Sequence, residues 1–236
     1  MGTSYLIVNA DDFGQSAGIN RGIIQAHENG IVTSASLMVR WPAARAAADY
    51  ARARSSLGLG LHLDFGEWCC RDEVWEPLYE VVDTTDQAAV RTEALNQLEV
   101  FHSLTGRNPT HIDSHQHTHL KEPARAVVAA MANELGCPLR SCDSEITYVG
   151  NFYGQTSDGV ALPELISVAG LINILRGLPS EICELSCHPG FADDLKTMYQ
   201  RERAEEIEVI CDPRIKTTIT ELGIELITFA ELPVRV

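Results

Sequence analysis

Short apolar runs recur along the chain, separated by helix-length stretches whose apolar residues fall every three or four positions, and each run reads as one strand of a parallel sheet. The first is Leu6-Ile7-Val8, which passes through Asn9-Ala10 into Asp11 and Asp12. Residues 17–29 then place Ile19, Ile23, Ile24 and Ala26 on one helical stripe, and Gly30 stands where a left-handed C-cap ends a helix. Residues 33–39 predict a second strand, Pro42 opens an Ala-rich helix to about residue 54, and residues 57–63 predict a third strand. A helix from Asp86 turns Val90, Ala94, Leu98 and Phe101 toward the core and ends near Gly106. Strand four is predicted at 110–113, followed by a helix at 123–135 capped by Gly136, and a short fifth strand at 139–142. A helix around 162–175 leads to strand six at 182–187, and helices at 199–210 and 213–222 precede a last strand at 224–228. Strand-helix alternation with short Gly-marked turns predicts a single-domain α/β chain over residues 1–236, with about seven parallel strands curled into a distorted (β/α) barrel. An open doubly wound sheet is the alternative.

Two stretches interrupt the alternation. Residues 65–85 carry Trp68, Trp75 and Tyr79 after strand three, and residues 143–160 carry Tyr148, Phe152 and Tyr153 after strand five. Both follow strands, so both are expected as irregular loops above the same rim, where aromatic faces suit sugar rings, a lid or a subunit contact.

Four of the apolar runs end in chemistry. They deliver Asp11-Asp12, His62, the series Asp113-Ser-His115-Gln-His117-Thr-His119, and His188-Pro189-Gly190. In a parallel barrel all strand C-termini face one rim, so these residues are expected to converge. A mixed carboxylate and imidazole set suits Zn²⁺, Mn²⁺, Fe²⁺ or Co²⁺, whereas Mg²⁺ ordinarily takes oxygen ligands. Two His and one carboxylate leave coordination positions for water and substrate, as in a catalytic site. If one Asp holds the cation, its neighbour can accept a proton from an attacking water, and His188 can protonate a leaving amine or steady an oxyanion. That chemistry is amide or ester hydrolysis. The plainer reading of the Asp pair is a solvated turn, with Asp12 or Ser16 capping the next helix. His27 and His102 fall on predicted helices and His111 faces away from the rim, so none of the three is taken as a site residue. Arg40 and Arg140 lie near strand ends, and Arg140 is the stronger candidate for orienting a carboxylate through two hydrogen bonds.

Composition narrows the partners. With 45% hydrophobic residues in 236, the chain can bury a full core, and a formal charge of −15 disfavours nucleic acid as a partner. Seven Cys with no C-x-x-C pair read as reduced thiols, and no apolar run is long enough to span a bilayer, so a cytoplasmic protein is expected.

The motifs Asn9-Ala-Asp11-Asp12-Phe-Gly14, Gly30-Ile-Val-Thr-Ser34, Gly60-Leu-His62-Leu, Thr110-His-Ile-Asp113-Ser-His115-Gln-His117-Thr-His119 and Cys187-His188-Pro189-Gly190 occur in this order along nearly the whole chain. Together they resemble the YdjC-like carbohydrate deacetylases, whose members include a chitooligosaccharide deacetylase. The resemblance implies a barrel related to polysaccharide deacetylases and a cytoplasmic enzyme that removes acetyl from an N-acetylated small carbohydrate with one divalent cation, Mg²⁺ by that resemblance and Zn²⁺ or similar by ligand chemistry. Carried over by position, it implies Asp12, His62 and His115 as metal ligands, Asp11 as base and His188 as acid. Asp113, His117, His119 and Arg140 are then expected to contact substrate or support the ligands. Two rivals remain open: a two-metal amidohydrolase-like or phosphoesterase-like barrel, suggested by His115-x-His117, and a sugar-binding module with a vestigial metal site. A homodimer is the expected oligomer.

Overall fold

Three consecutive apolar residues, Leu6, Ile7 and Val8, are fully buried on both faces of strand β1 (Ser4–Phe13), as expected of a central parallel strand with covered faces. A computed structural model describes residues 4–71 and 74–233. β1 pairs in parallel with β8 (Ile182–Cys187) from Tyr5 opposite Ile182 to Ala10 opposite Cys187. Its other edge is shared: β9 (Ile224–Leu226) takes Ser4 to Leu6, and β2 (Ser34–Leu37) takes the part from Asn9 onward. Thr33 holds the junction, its hydroxyl accepting from Val8 N at 3.1 Å and donating to Ile227 O at 2.7 Å.

Outward from β2 come β3 (Gly58–Leu63) and β6 (Ile112–Ser114), and beyond β8 lies β7 (Thr147–Val149). The strand order β6-β3-β2-β1-β8-β7, with β9 on β1, makes a curled, seven-stranded parallel sheet, a half-barrel form of the distorted (β/α) barrel that the alternation predicts. Helices α1 (Ala17–Asn29), α2 (Ala44–Arg52), α3 (Gln87–Thr105), α4 (Ala124–Leu135), α5 (Val168–Arg176), α6 (Arg201–Ile210) and α7 (Pro213–Leu222) intervene between the strands. Their apolar stripes, such as Ile19, Ile23 and Ala26 of α1, join the main core with Leu6, Val8, Leu59, Leu61 and Leu185. Ser16 is the residue that caps α1, accepting from Ile19 N at 3.1 Å, which leaves Asp12 free for other work.

Three expectations need correction. The predicted fifth strand at 139–142 reduces to a single bridge from Leu139 to Ile112. Ser141 adopts φ +60°, and the amides of Cys142 and Asp143 both bond back to Leu139 O, so the chain turns where an extended run was expected. The parallel neighbour of β8 forms later, as β7. Residues 65–85 are not irregular either: Gly66–Arg71 (β4) and Val74–Glu80 (β5) form an antiparallel hairpin, with residues 72 and 73 outside the described ones. The break between Glu67 and Trp68 in that ladder, opposite Pro77, hid its alternation in the sequence. The expected helix around 162–175 begins only at Val168, where Ser167 caps it by accepting from Gly170 N.

α1 packs tightly on the turn that follows β8. A Cβ at Gly22 would stand 2.4 Å from Gly190 Cα, too close for either backbone to accept. Gly22→Ala is therefore expected to destabilise the protein by about 1–3 kcal/mol, as overpacking does. Urea unfolding checks this, and an unchanged midpoint would mean that the helix can withdraw.

Candidate metal and catalytic centre

Successive residues of a strand point to opposite faces, yet Asp11 and Asp12 both line the same cavity. The irregularity in β1 between Ala10 and Phe13 makes this possible, because Asp12 turns to φ +69°, a left-handed conformation that a non-glycine residue holds only at a cost. Asp12 is fully buried and divides its two oxygens. Oδ1 lies 3.0 Å from His115 Nδ1 and 3.2 Å from His62 Nε2, while Oδ2 accepts from Arg203 at 2.6 Å.

The register between β3 and β6 sets His62 beside Asp113, and His62 Nδ1 meets Asp113 Oδ1 at 2.7 Å. That contact fixes which imidazole nitrogen faces Asp12. His115 follows β6 in a turn of 3₁₀-helix, His115–Leu120, inside which Gln116 and His117 take left-handed φ of 50° and 53°. The three alternating His consequently part company. His115 enters the Asp12 cluster, and His117 Nε2 meets Tyr148 OH at 3.2 Å on the cavity wall. His119 turns beneath, between Ser114 Oγ at 2.7 Å and Arg140 O at 3.1 Å.

Arg140 is fully buried and serves three acids. It donates to both oxygens of Asp11 at 2.6 and 2.7 Å, to Asp113 at 2.7 Å and to Glu184 at 2.7 Å. Burial alone would raise the Asp11 and Asp113 pKa values, but the guanidinium outweighs it and holds both carboxyls below their usual range. Glu184 shows the opposite balance, burial winning and its pKa reaching about 7. His188 sits at the end of β8, with Nε2 3.7 Å from Asp11 Oδ2 and its ring against Tyr153 and Tyr199. Burial lowers its pKa to about 4 despite Asp11 and Asp12 nearby, so its imidazole is neutral near pH 7.

Among the described residues, two groups of donors converge closely enough to hold a metal ion: Asp12, His62 and His115, and Asp11, His62 and Asp113. The first fits a divalent cation. Its donors are buried, mixed imidazole and carboxylate, and open on one side to a cavity of about 1280 Å³. In the second, Arg140 already occupies both Asp11 oxygens and one of Asp113. A guanidinium so placed repels a further cation.

Trp68 and Trp75 from the hairpin and Tyr148 and Tyr153 from the 143–160 stretch line the cavity, so both aromatic stretches do reach the rim. Among the sequence-predicted site residues, Asp11, Asp12, His62, His115, His117 and His188 line the cavity, and Asp113, His119 and Arg140 stand behind that lining. Arg140 holds the acids, Asp113 bonds His62, and His119 holds the Arg140 backbone. Arg40 lies elsewhere, paired to Asp64 at 3.2 Å. Sequence reasoning missed Arg203, Glu184, Glu67, Ser36 and the part played by His111. Glu184 had a signal, a lone acid in the apolar run Ile182-Cys-Glu-Leu. His111 stacks on Phe229 and bonds Ser36 Oγ at 3.0 Å, and Ser36 donates to Asp113 at 2.7 Å, so it backs the site from behind. All seven Cys are free thiols.

A family model described as YdjC-like protein matches residues 5–221. The chain is 35% identical to a carbohydrate deacetylase of Geobacillus stearothermophilus, over 96% of this chain and 97% of the relative. It is 32% identical to a chitooligosaccharide deacetylase of Serratia marcescens, over 96% and 98%. Among solved structures, a candidate cellobiose-phosphate cleavage protein of Enterococcus faecalis superposes with TM-score 0.78 at 26% identity, covering 99% of this chain and 100% of that one. A family 4 carbohydrate esterase of Streptomyces lividans shares the fold, with TM-score 0.56 at 13% identity over 94% and 91%.

Proposed function

The chain belongs to the YdjC-like family, and from that premise and the geometry of the centre we propose that it is a metal-dependent deacetylase that releases acetate from an N-acetylhexosamine unit of a small oligosaccharide or glycoconjugate. The observation that carries this reading is the meeting of Asp12, His62 and His115 beside an Asp11 held by Arg140 at the floor of an aromatic-walled cavity. Curated relatives named as carbohydrate and chitooligosaccharide deacetylases support it.

Asp12, His62 and His115 would hold one divalent cation, which when bound would supply polarisation of the acetyl carbonyl and a lowered pKa for the attacking water. The imidazole donors favour zinc-like ions, and the family resemblance allows Mg²⁺. Arg140 keeps Asp11 ionised and fixes the plane of its carboxylate, so Asp11 is set to take the proton of the attacking water. His188 is neutral at rest and must gain a proton before it can give one. Its Nε2, 3.7 Å from Asp11 Oδ2, is placed to receive that proton and pass it to the departing nitrogen. The neutral acetamide suits the acidic site, and Trp68, Trp75 and Tyr153 offer faces for sugar rings.

The two-metal reading is disfavoured by Arg140, which fills the second donor group. The binding-module reading leaves the pairing of Asp11 with Arg140 and the placement of His188 without a purpose. Acetate detection across a panel of N-acetylated mono- and oligosaccharides tests the proposal: release is expected, abolished by EDTA and restored by a divalent ion. Saturable sugar binding without acetate would favour the module instead.

Cation uptake is expected to depend on pH. Burial alone would lower the His62 pKa, but Asp113 and Asp12 raise it to about 9, and Asp12 likewise raises that of His115. Below pH 9 the cation must displace protons from these imidazoles, so its apparent affinity should climb with pH, by up to about tenfold per unit for each proton released. Calorimetric titration at pH 6.5 to 9 in buffers of different ionisation enthalpy measures this. Uptake without proton release would place the cation elsewhere.

A further inference from the structure

His115 turns Nδ1 to Asp12, and its Nε2 is buried without a hydrogen-bond partner. Facing that nitrogen at 3.6 Å is Oε2 of Glu67, itself only 3% exposed. At that separation the two groups face each other just beyond hydrogen-bond range. Glu67 belongs to neither group of converging donors and therefore addresses the imidazole rather than the cation site.

Several features show that this carboxylate is placed deliberately. It rides on β4, opposite Tyr79, beside the point where Leu78 of β5 is left unpaired and the ladder shifts register. The residues next in sequence on each side are locked together: Gln116 accepts from Trp68 N at 2.9 Å and donates to Trp68 O at 2.7 Å. The other oxygen of Glu67 accepts from Thr197 Oγ1 at 2.8 Å, a residue that reaches the site from beyond β8. Burying an acid here would be costly without partners, and Glu67 has the Thr197 hydroxyl, the His115 imidazole and the field of the buried Arg203 guanidinium.

A histidine that ligates through one nitrogen is held in tautomer and orientation by an acceptor on the other, and loss of such a partner typically weakens metal binding about 10–100-fold. His62 has its acceptor in Asp113, from within the sheet. We propose that Glu67 is the corresponding positioning residue of His115, supplied by the β4–β5 hairpin, so that the seating of this hairpin over the cavity is felt at the cation site. The proposal rests on the assignment of Asp12, His62 and His115 as ligands.

Co²⁺ titration of the full chain without substrate, followed by its visible absorption, tests it. Glu67→Gln keeps the side-chain shape and removes the charge, and it is expected to lower Co²⁺ affinity by about tenfold and alter the band envelope. Thr197→Val removes the other contact of Glu67 and is expected to leave both within twofold of wild type. Unchanged affinity and spectrum in Glu67→Gln would overturn the proposal, as would equal losses in both variants, which would reduce Glu67 to a tie between hairpin and loop. Wild-type protein that takes up no Co²⁺ would overturn the ligand assignment beneath it.

Discussion

Asp11→Asn is expected to lower acetate release by about 10²-fold or more, in the range of general-base contributions, while the protein still binds its cation. The amide has nearly the shape of the carboxylate but cannot accept the proton that Asp11 Oδ2 is placed to take. Asp12, His62 and His115 keep their mutual contacts in this variant, since none of them bonds to Asp11. Arg140 loses its strongest partner yet retains Asp113 and Glu184 at 2.7 Å, so the fold is expected to survive. Turnover and metal content measured on one preparation separate the two effects. Full activity would remove Asp11 from the base role, and loss of metal would make it a ligand.

The second large effect concerns stability. Arg140→Met would leave Asp11, Asp113 and Glu184 buried together without their shared cation, and breaking a buried pair from one side costs about 3–5 kcal/mol. For a chain of this size that corresponds to roughly 6–20 °C in Tm. The same substitution frees Asp11 to rise toward protonation at neutral pH, so residual folded protein should also be poorly active. Thermal unfolding followed by circular dichroism gives the answer, and a Tm within about 2 °C of wild type would show that the acids find another partner.

Much of this arrangement was legible in the sequence because the strands are buried on both faces and announce themselves as apolar runs. Leu6-Ile7-Val8 before Asp11-Asp12, and Gly58 to Leu61 before His62, locate two walls of the site with no knowledge of the third dimension. Their register does the rest: His62 falls opposite Asp113 because β3 and β6 pair one residue at a time. What was hidden involves backbone that leaves regular geometry. His115, His117 and His119 alternate as if on a strand, but left-handed Gln116 and His117 send them to three different places. Asp11 and Asp12 share a cavity only through the irregularity at Asp12.

Long-range charge pairs were hidden for another reason. Arg203 lies in Arg201-Glu-Arg-Ala-Glu-Glu, which reads as a solvated helix face, yet it is buried and spans to Asp12, 191 positions away in sequence. Glu67 sits in a stretch whose strand pattern is broken by Pro77 and a bulge. Local composition carries no mark of either partner, because the contact that gives each residue its role is made only when α6 and the hairpin close on the sheet.

Anomalous diffraction from crystals grown with Co²⁺ or Zn²⁺ addresses the central claim most directly. The account predicts one strong peak per chain, bonded to Asp12 Oδ1, His62 Nε2 and His115 Nδ1, with Asp11 still in the grip of Arg140. A peak between Asp11, His62 and Asp113, a pair of peaks, or no peak in fully exchanged crystals would contradict it.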